Sequence, residues 1–261
     1  MRNILKSDLF KLYKNKAFWI CLLLSVAVAV LMVLAIQAGI NNITGNMGHV
    51  PFAGILGLIS GVGALTIFIP MNFHLIFIAV FSSLFVASEF QTGTIKNTIS
   101  RGAGRVNVFF SKFIVTAFAS IVMFLAFVIA IVVTGTILWG FDPGGIVTGI
   151  SLLSMIALQA LTVLAFSALF TFTSMTLRGT GGAIAANVII VTMASTLFSA
   201  ISLLLPNDFN LNDYWLDWNL SNLATYSPDG AYVIQGVVIA VGWSVVSIIV
   251  GVSMFKMRDI K

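Results

Sequence analysis

The sequence predicts an all-α integral membrane protein with six transmembrane helices and both termini in the cytoplasm. Of its 261 residues 59% are hydrophobic and 8% charged, whereas soluble domains run near ~25% charged, so a water-soluble fold has no way to cover this much apolar surface. The charged residues fall in short clusters between apolar runs of about 20 residues or more, the length a helix needs to cross the hydrocarbon of a bilayer. Threading those runs through a membrane in succession leaves all 13 Lys and Arg on one side, as the positive-inside rule requires. A membrane β-barrel is excluded because runs such as Phe113 to Leu138 do not alternate apolar with polar residues.

The expected spans are residues 17–40, 64–88, 113–138, 146–175, 181–205 and 231–255. With Met1 inside, the basic residues group as Arg2, Lys6, Lys11, Lys14 and Lys16, then Lys96, Arg101, Arg105 and Lys112, then Arg178, then Lys256, Arg258 and Lys261. The outer loops hold Asp142, Asp208, Asp213, Asp217 and Asp229 and no basic residue. Residues 52–69 are apolar and Gly-rich, but as a seventh span they would turn Lys96, Arg101, Arg105 and Lys112 outward. They are read instead as an outer-leaflet or re-entrant approach to the second span, with Pro70 at the bend because it lacks an N–H for a helical bond. A secretory signal is the competing reading of residues 1–36, disfavoured because the apolar run exceeds the ~7–15 residues of a signal core.

The chain carries little chemistry of its own. Cys21 is its one cysteine, so no intrachain disulfide forms and packing is the expected role. There is no zinc-protease pattern, paired intramembrane aspartate or metal-ligand cluster. The Gly-rich Arg178-Gly179-Thr180-Gly181-Gly182 lacks the Lys-Ser/Thr ending of a phosphate-cradling loop. The chain is therefore expected to be non-catalytic and to bind no cofactor or metal directly. Ion-coupled carriers keep charges inside the bilayer; here His74 is the titratable side chain well within a span, and a carrier would need it as the proton site.

Two cytoplasmic segments are long enough to matter. In residues 1–16, Leu5, Leu9, Leu12 and Tyr13 share one helical face while Ser7, Asp8, Lys11 and Lys14 lie opposite, the pattern of an amphipathic interfacial helix in contact with membrane lipids. Trp19 marks the headgroup level. The loop 89–112 reads Glu89-Phe90-Gln91-Thr92-Gly93-Thr94-Ile95-Lys96, then Ser100-Arg101-Gly102-Ala103-Gly104-Arg105, then Ser111-Lys112. Ile95 and Ile99 can share one face of a short helix there. Outside, residues 206–230 are too polar to span yet hold Phe209, Tyr214, Trp215 and Trp218, which suit the headgroup level.

A second span that ends in Ser-Glu-Phe-x-x-Gly-Thr-Ile-Lys, followed by Ser-Arg and by Ser-Lys at the third span, resembles the ABC-2-type transporter permeases. The resemblance implies a permease subunit of a bacterial ATP-binding-cassette exporter of the peptide or antibiotic kind, in the cell membrane. It implies ATP and Mg²⁺ on a separate ATP-binding subunit, a second identical or homologous permease, and a hydrophobic or amphipathic substrate. It further implies that Glu89, Phe90, Gln91, Thr92, Gly93, Thr94, Ile95, Lys96 and Ile99 couple to the ATPase, and that 206–230 forms a re-entrant or extracellular element at the outer exit. Nucleic acid is not among the expected partners. Asn72, His74, Gln159 and Asn187, polar residues in the spans, are candidates to line a path or to bond neighbouring helices. A membrane immunity or sensory protein that binds its ligand through the outer loops is the alternative.

Overall fold

A computed structural model describes residues 2–46, 60–142, 149–204, 210–225 and 230–257. Among these the chain is all helical, and six helices are long and apolar enough to cross a membrane. In chain order they are α1 (Arg2–Lys14), α2 (Lys16–Asn46), α3 (Ala64–Phe68), α4 (Phe73–Gln91), α5 (Thr94–Ser100), α6 (Arg105–Trp139), α7 (Gly149–Leu177), α8 (Thr180–Ser202), α9 (Leu216–Asn222) and α10 (Gly230–Met257). The six long ones are α2, α4, α6, α7, α8 and α10.

Asn15 makes the corner between α1 and α2. Its side-chain carbonyl accepts from the Ala17 N–H (2.9 Å), capping an orphan donor of α2. Trp19 Nε1 reaches back to the Tyr13 carbonyl (2.9 Å), satisfying one of the free carbonyls at the end of α1. With both ends closed in this way the two helices change direction without a loop. α1 then lies on α6, α2 packs on α6 and α4, α8 on α4 and α7, and α10 on α7 and α6.

The expected second span is split. α3 ends at Phe68, Pro70 lies in the break, and Asn72 stands at φ 62° before α4 begins at Phe73. Asparagine tolerates that left-handed backbone better than most residues, and its side chain donates to Asp217 in the first turn of α9. Of the approach segment expected at 52–69, residues 52–59 lie outside the described residues. Residues 60–62 run against the end of α6: Gly61 N–H bonds to the Gly140 carbonyl (2.8 Å) and Val62 N–H to that of Phe141 (3.2 Å).

The third long helix starts at Arg105, well before the Phe113 expected from hydropathy. Lys112 is therefore a residue in the body of a helix. Arg105 Nη1 donates to the Lys256 carbonyl near the end of α10 (2.6 Å), and Thr180 Oγ1 donates to Gln91 Oε1 across the mouths of α4 and α8 (3.4 Å). These contacts gather the end of α4, the start of α6, the α7–α8 turn and the last turn of α10 at one end, the basic end. α9 and the 60–62 segment sit at the other, with Asp142, Asp213 and Asp217.

Small residues set the closest approaches. Lipid supplies no hydrophobic drive between helices, so close backbone packing must hold them together. A Cβ on Gly135 would lie 2.9 Å from the Gly61 Cα, whereas one on Gly242 would meet nothing within 4 Å. Gly135→Ala is expected to destabilise the protein by about 1–3 kcal/mol. Gly242→Ala should leave its midpoint unchanged or raised. Thermal unfolding of the two variants in detergent checks the contrast.

Candidate functional site

The connection between α4 and α6 turns on two glycines. α4 closes with the Thr92 N–H on the Ser88 carbonyl (3.0 Å) and the Gly93 N–H on that of Phe90 (3.2 Å). Gly93 then stands at φ 68° and Gly102 at φ 88°, left-handed positions that only glycine adopts freely. Between them α5 is a single short helix. Ile95 is buried and Ile99 packs on the core, while Lys96, Asn97 and Ser100 are exposed. Thr94 and Thr92 share a hydroxyl contact (2.9 Å) across the turn. Phe90 anchors the end of α4, edge-on to Phe255 of α10 (6.2 Å between centroids) and beneath the Arg178 guanidinium (5.7 Å).

Beside this connection lies a buried ion cluster. The Lys112 ammonium stands 2.8 Å from Asp8 Oδ1 and 2.7 Å from Glu89 Oε1, with its side chain 2% exposed. Lys11 completes the group, 3.0 Å from the same Glu89 oxygen and 3.6 Å from Asp8 Oδ1. Ser111 Oγ donates to the second Asp8 oxygen (2.7 Å), and the Phe85 ring lies under the ammonium at 4.8 Å. Two carboxylates and two ammonium groups balance, as burial of charge demands. α1, α4 and α6 each contribute to the cluster.

That geometry corrects the reading of α1. Asp8, placed by the helical wheel on the outward polar face with Lys14, points into the bundle beside Leu12, while Leu9, Phe10 and Tyr13 are exposed. Sequence pattern alone marks neither Asp8 nor Lys112 as a site residue. A signal existed: Asp8 and Glu89 are acids on segments otherwise crowded with basic residues, and an acid retained there calls for a partner.

α1 and α5 face one another across a cleft of about 570 Å³ whose floor includes Asp8, Glu89 and Lys112. Its walls mix apolar and polar side chains, Ile4 and Ser7 on one side and Ile95 and Thr98 on the other. Of the expected coupling residues the structure therefore gathers Glu89, Phe90, Gly93, Thr94 and Ile95 around the junction. It leaves Gln91, Thr92 and Lys96 exposed on the outside and turns Ile99 inward.

A family model described as a protein of unknown function, DUF2705, matches residues 29–261. The chain belongs to that family. Comparison with curated proteins gives no match.

The four polar residues expected in the spans are separate from this site and from one another. Asn187 is fully buried at the centre of a network: its Nδ2 donates to Ser83 Oγ (2.8 Å) and Ser174 Oγ (3.1 Å), and Thr173 donates to its Oδ1. This ties α4, α7 and α8. Gln159 Nε2 donates to the Asn219 carbonyl (3.3 Å), and Asn219 Nδ2 to the Gly236 carbonyl (2.8 Å), so α9 is held between α7 and α10. His74 is 1% exposed against the Phe124 and Phe127 rings. Asn72 bonds Asp217. Of the outer stretch 206–230, residues 206–209 and 226–229 lie outside the described residues, and the rest forms the 3₁₀ turn Leu211–Tyr214 and α9.

Lys112→Met leaves the buried Asp8 and the partly buried Glu89 short of their shared partner and should cost about 3–5 kcal/mol. Lys96→Met, on the exposed face of α5, should stay within about 0.5 kcal/mol. Denaturant unfolding compares them. At the other end burial pushes the Asp217 carboxyl above its ordinary 3.8, against hydrogen bonds from Asn72 and Ser195 that lower it. A raised folded value means that the folded protein holds the proton more tightly, so stability is gained as pH falls through that raised value toward 3.8. Wild type should gain on Asp217→Asn over that window in pH-dependent melting, and a constant difference would contradict it.

Proposed function

We propose that this chain is the membrane-spanning permease subunit of an ATP-binding-cassette exporter, with both termini and the basic end of the bundle in the cytoplasm. ATP and Mg²⁺ belong to a separate ATP-binding subunit, and a second permease, identical or homologous, completes the transporter in the cell membrane. The cargo is a hydrophobic or amphipathic molecule of the peptide or antibiotic class. The observation that carries this reading is α5, a short helix set between two left-handed glycines and presenting Lys96, Asn97 and Ser100 outward from the basic end.

An element of that kind is suited to docking. Its outward side chains offer one ammonium, an amide and a hydroxyl to a polar protein surface, while Ile95 fixes it from beneath. The segregation of basic residues supports the orientation. His74, Gln159 and Asn187 are enclosed within this one chain, which favours a path lined with the help of a second subunit. α8 has the surface for such a neighbour, with Ile189, Met193 and Leu197 each about half exposed.

Affinity purification of the tagged chain from its native membranes tests the proposal. A Walker-motif ATPase is expected in the eluate, and deletion of residues 91–99 should remove it. Gly93→Val, which imposes about 1–3 kcal/mol of backbone strain at the left-handed position, should reduce the recovery. An eluate without ATPase, together with an unchanged phenotype on deletion, would sink the exporter reading in favour of an immunity or sensory protein.

A further inference from the structure

We propose that Lys112 is a positioning residue that makes α1 part of the coupling apparatus, carrying displacement of the α4–α5 junction to α1 through the Glu89–Lys112–Asp8 contacts. The inference rests on the reading of α5 as the element that meets the ATP-binding subunit. α5 packs on α4, and α1 on α6. Where α1 and α5 face one another, the cleft of about 570 Å³ keeps their walls apart. The link between them is at its floor, where Glu89 in the last turn of α4 and Asp8 of α1 are held by one ammonium at 2.7 and 2.8 Å.

The chemistry of that link makes it stiff. Separating Glu89 from Lys112 would leave both charges in a site where the lysine side chain is 2% exposed, at a large desolvation cost. Moving Asp8 with them breaks nothing. Ser111, the neighbour of Lys112 on α6, grips the second Asp8 oxygen, so the carboxylate is held at both oxygens and follows α6 as well as α4. Lys11 adds a second bond from α1 to the same Glu89 oxygen, but its side chain is 39% exposed, and water screens that contact. The load therefore passes chiefly through Lys112. A cluster serving only to fasten α1 would leave α1 still when nucleotide arrives, and this is where the two roles part.

The test uses the full chain with its copurified ATP-binding subunit in lipid nanodiscs. A spin label sits on Tyr13→Cys, an exposed α1 position, in a Cys21→Ser background. ATP should change the label spectrum in the otherwise wild-type complex. Asp8→Asn, which keeps the Lys112–Glu89 pair, should abolish that change while the ATPase still copurifies, and Lys112→Met should do the same if it folds. A response that persists in Asp8→Asn, or is absent from the wild-type complex, overturns the proposal with the exporter reading intact. If the wild-type chain brings down no ATPase, the functional reading fails and this inference goes with it.

Discussion

The Lys112 ammonium, held between Asp8 and Glu89, is the interaction on which the organisation of the basic end depends. A lysine that is 2% exposed is tolerated only with its charge balanced, and here the balance comes from two helices that are distant in sequence. This requirement places α1. An amphipathic helix with Leu9, Phe10 and Tyr13 exposed would otherwise rest anywhere along a membrane surface; Asp8 pins it to one point on α6. It also explains why α6 must continue as helix down to Arg105. Ser111 and Lys112 reach the two Asp8 oxygens as adjacent residues on one regular helix, and a loop beginning at the hydrocarbon boundary would not hold them in that relation.

Within the apolar part of the bundle the problem is different, because lipid is as good a solvent for leucine as another helix is. The answer is close approach and shared hydrogen bonds. Gly135 meets the Gly61 backbone, and a Cβ on Gly251 would come within 2.7 Å of the Phe109 ring, so α6 and α10 touch where there is no side chain to part them. Asn187 then joins three helices through one amide. Such contacts average only ~0.6 kcal/mol each, so this interior is held by many weak terms. The ion cluster is one strong term, and its loss is felt in one place.

The division between what the sequence makes legible and what it hides follows the same line. Six apolar helices can be read from hydropathy because crossing the bilayer needs continuous apolar length, and the short helix at Thr94–Ser100 can be read from Ile95 and Ile99 with the flanking glycines. The start of α6 was not legible: Arg105 to Lys112 is polar enough to look like loop, since hydropathy measures the solvent a residue prefers and is blind to a charge neutralised by a partner far away in sequence. Asp8 was misplaced for that reason. The wheel sorted α1 by polarity and put Asp8 with Lys11 and Lys14 opposite the apolar face, but pairing with Lys112 makes the buried face the one that carries Asp8. Asn72, Gln159 and Asn187 were visible as polar residues in apolar runs. Their partners, Asp217, Asn219 and Ser83, are long-range, and nothing local announces them.

α4 joins these two regimes. It carries Ser83 in the Asn187 network midway and Glu89 in the ion cluster in its last turn, while Asn72, the residue before its first turn, bonds Asp217 in the first turn of α9. Its 19 residues make a rod of about 28 Å at ~1.5 Å per residue, and no proline or glycine interrupts it. A continuous helix of that length resists axial load, because bending it requires hydrogen bonds to lengthen or break. The soft points are at its two ends, Gly93 below and the Pro70–Asn72 break above. α4 is therefore tied at both ends: to α1 through the cluster, and to α9 through Asn72 and Asp217. The first is an ionic contact to a lysine 2% exposed and the second a hydrogen bond to the Asp217 carboxylate, so the two ends of the rod are held by bonds of different kinds.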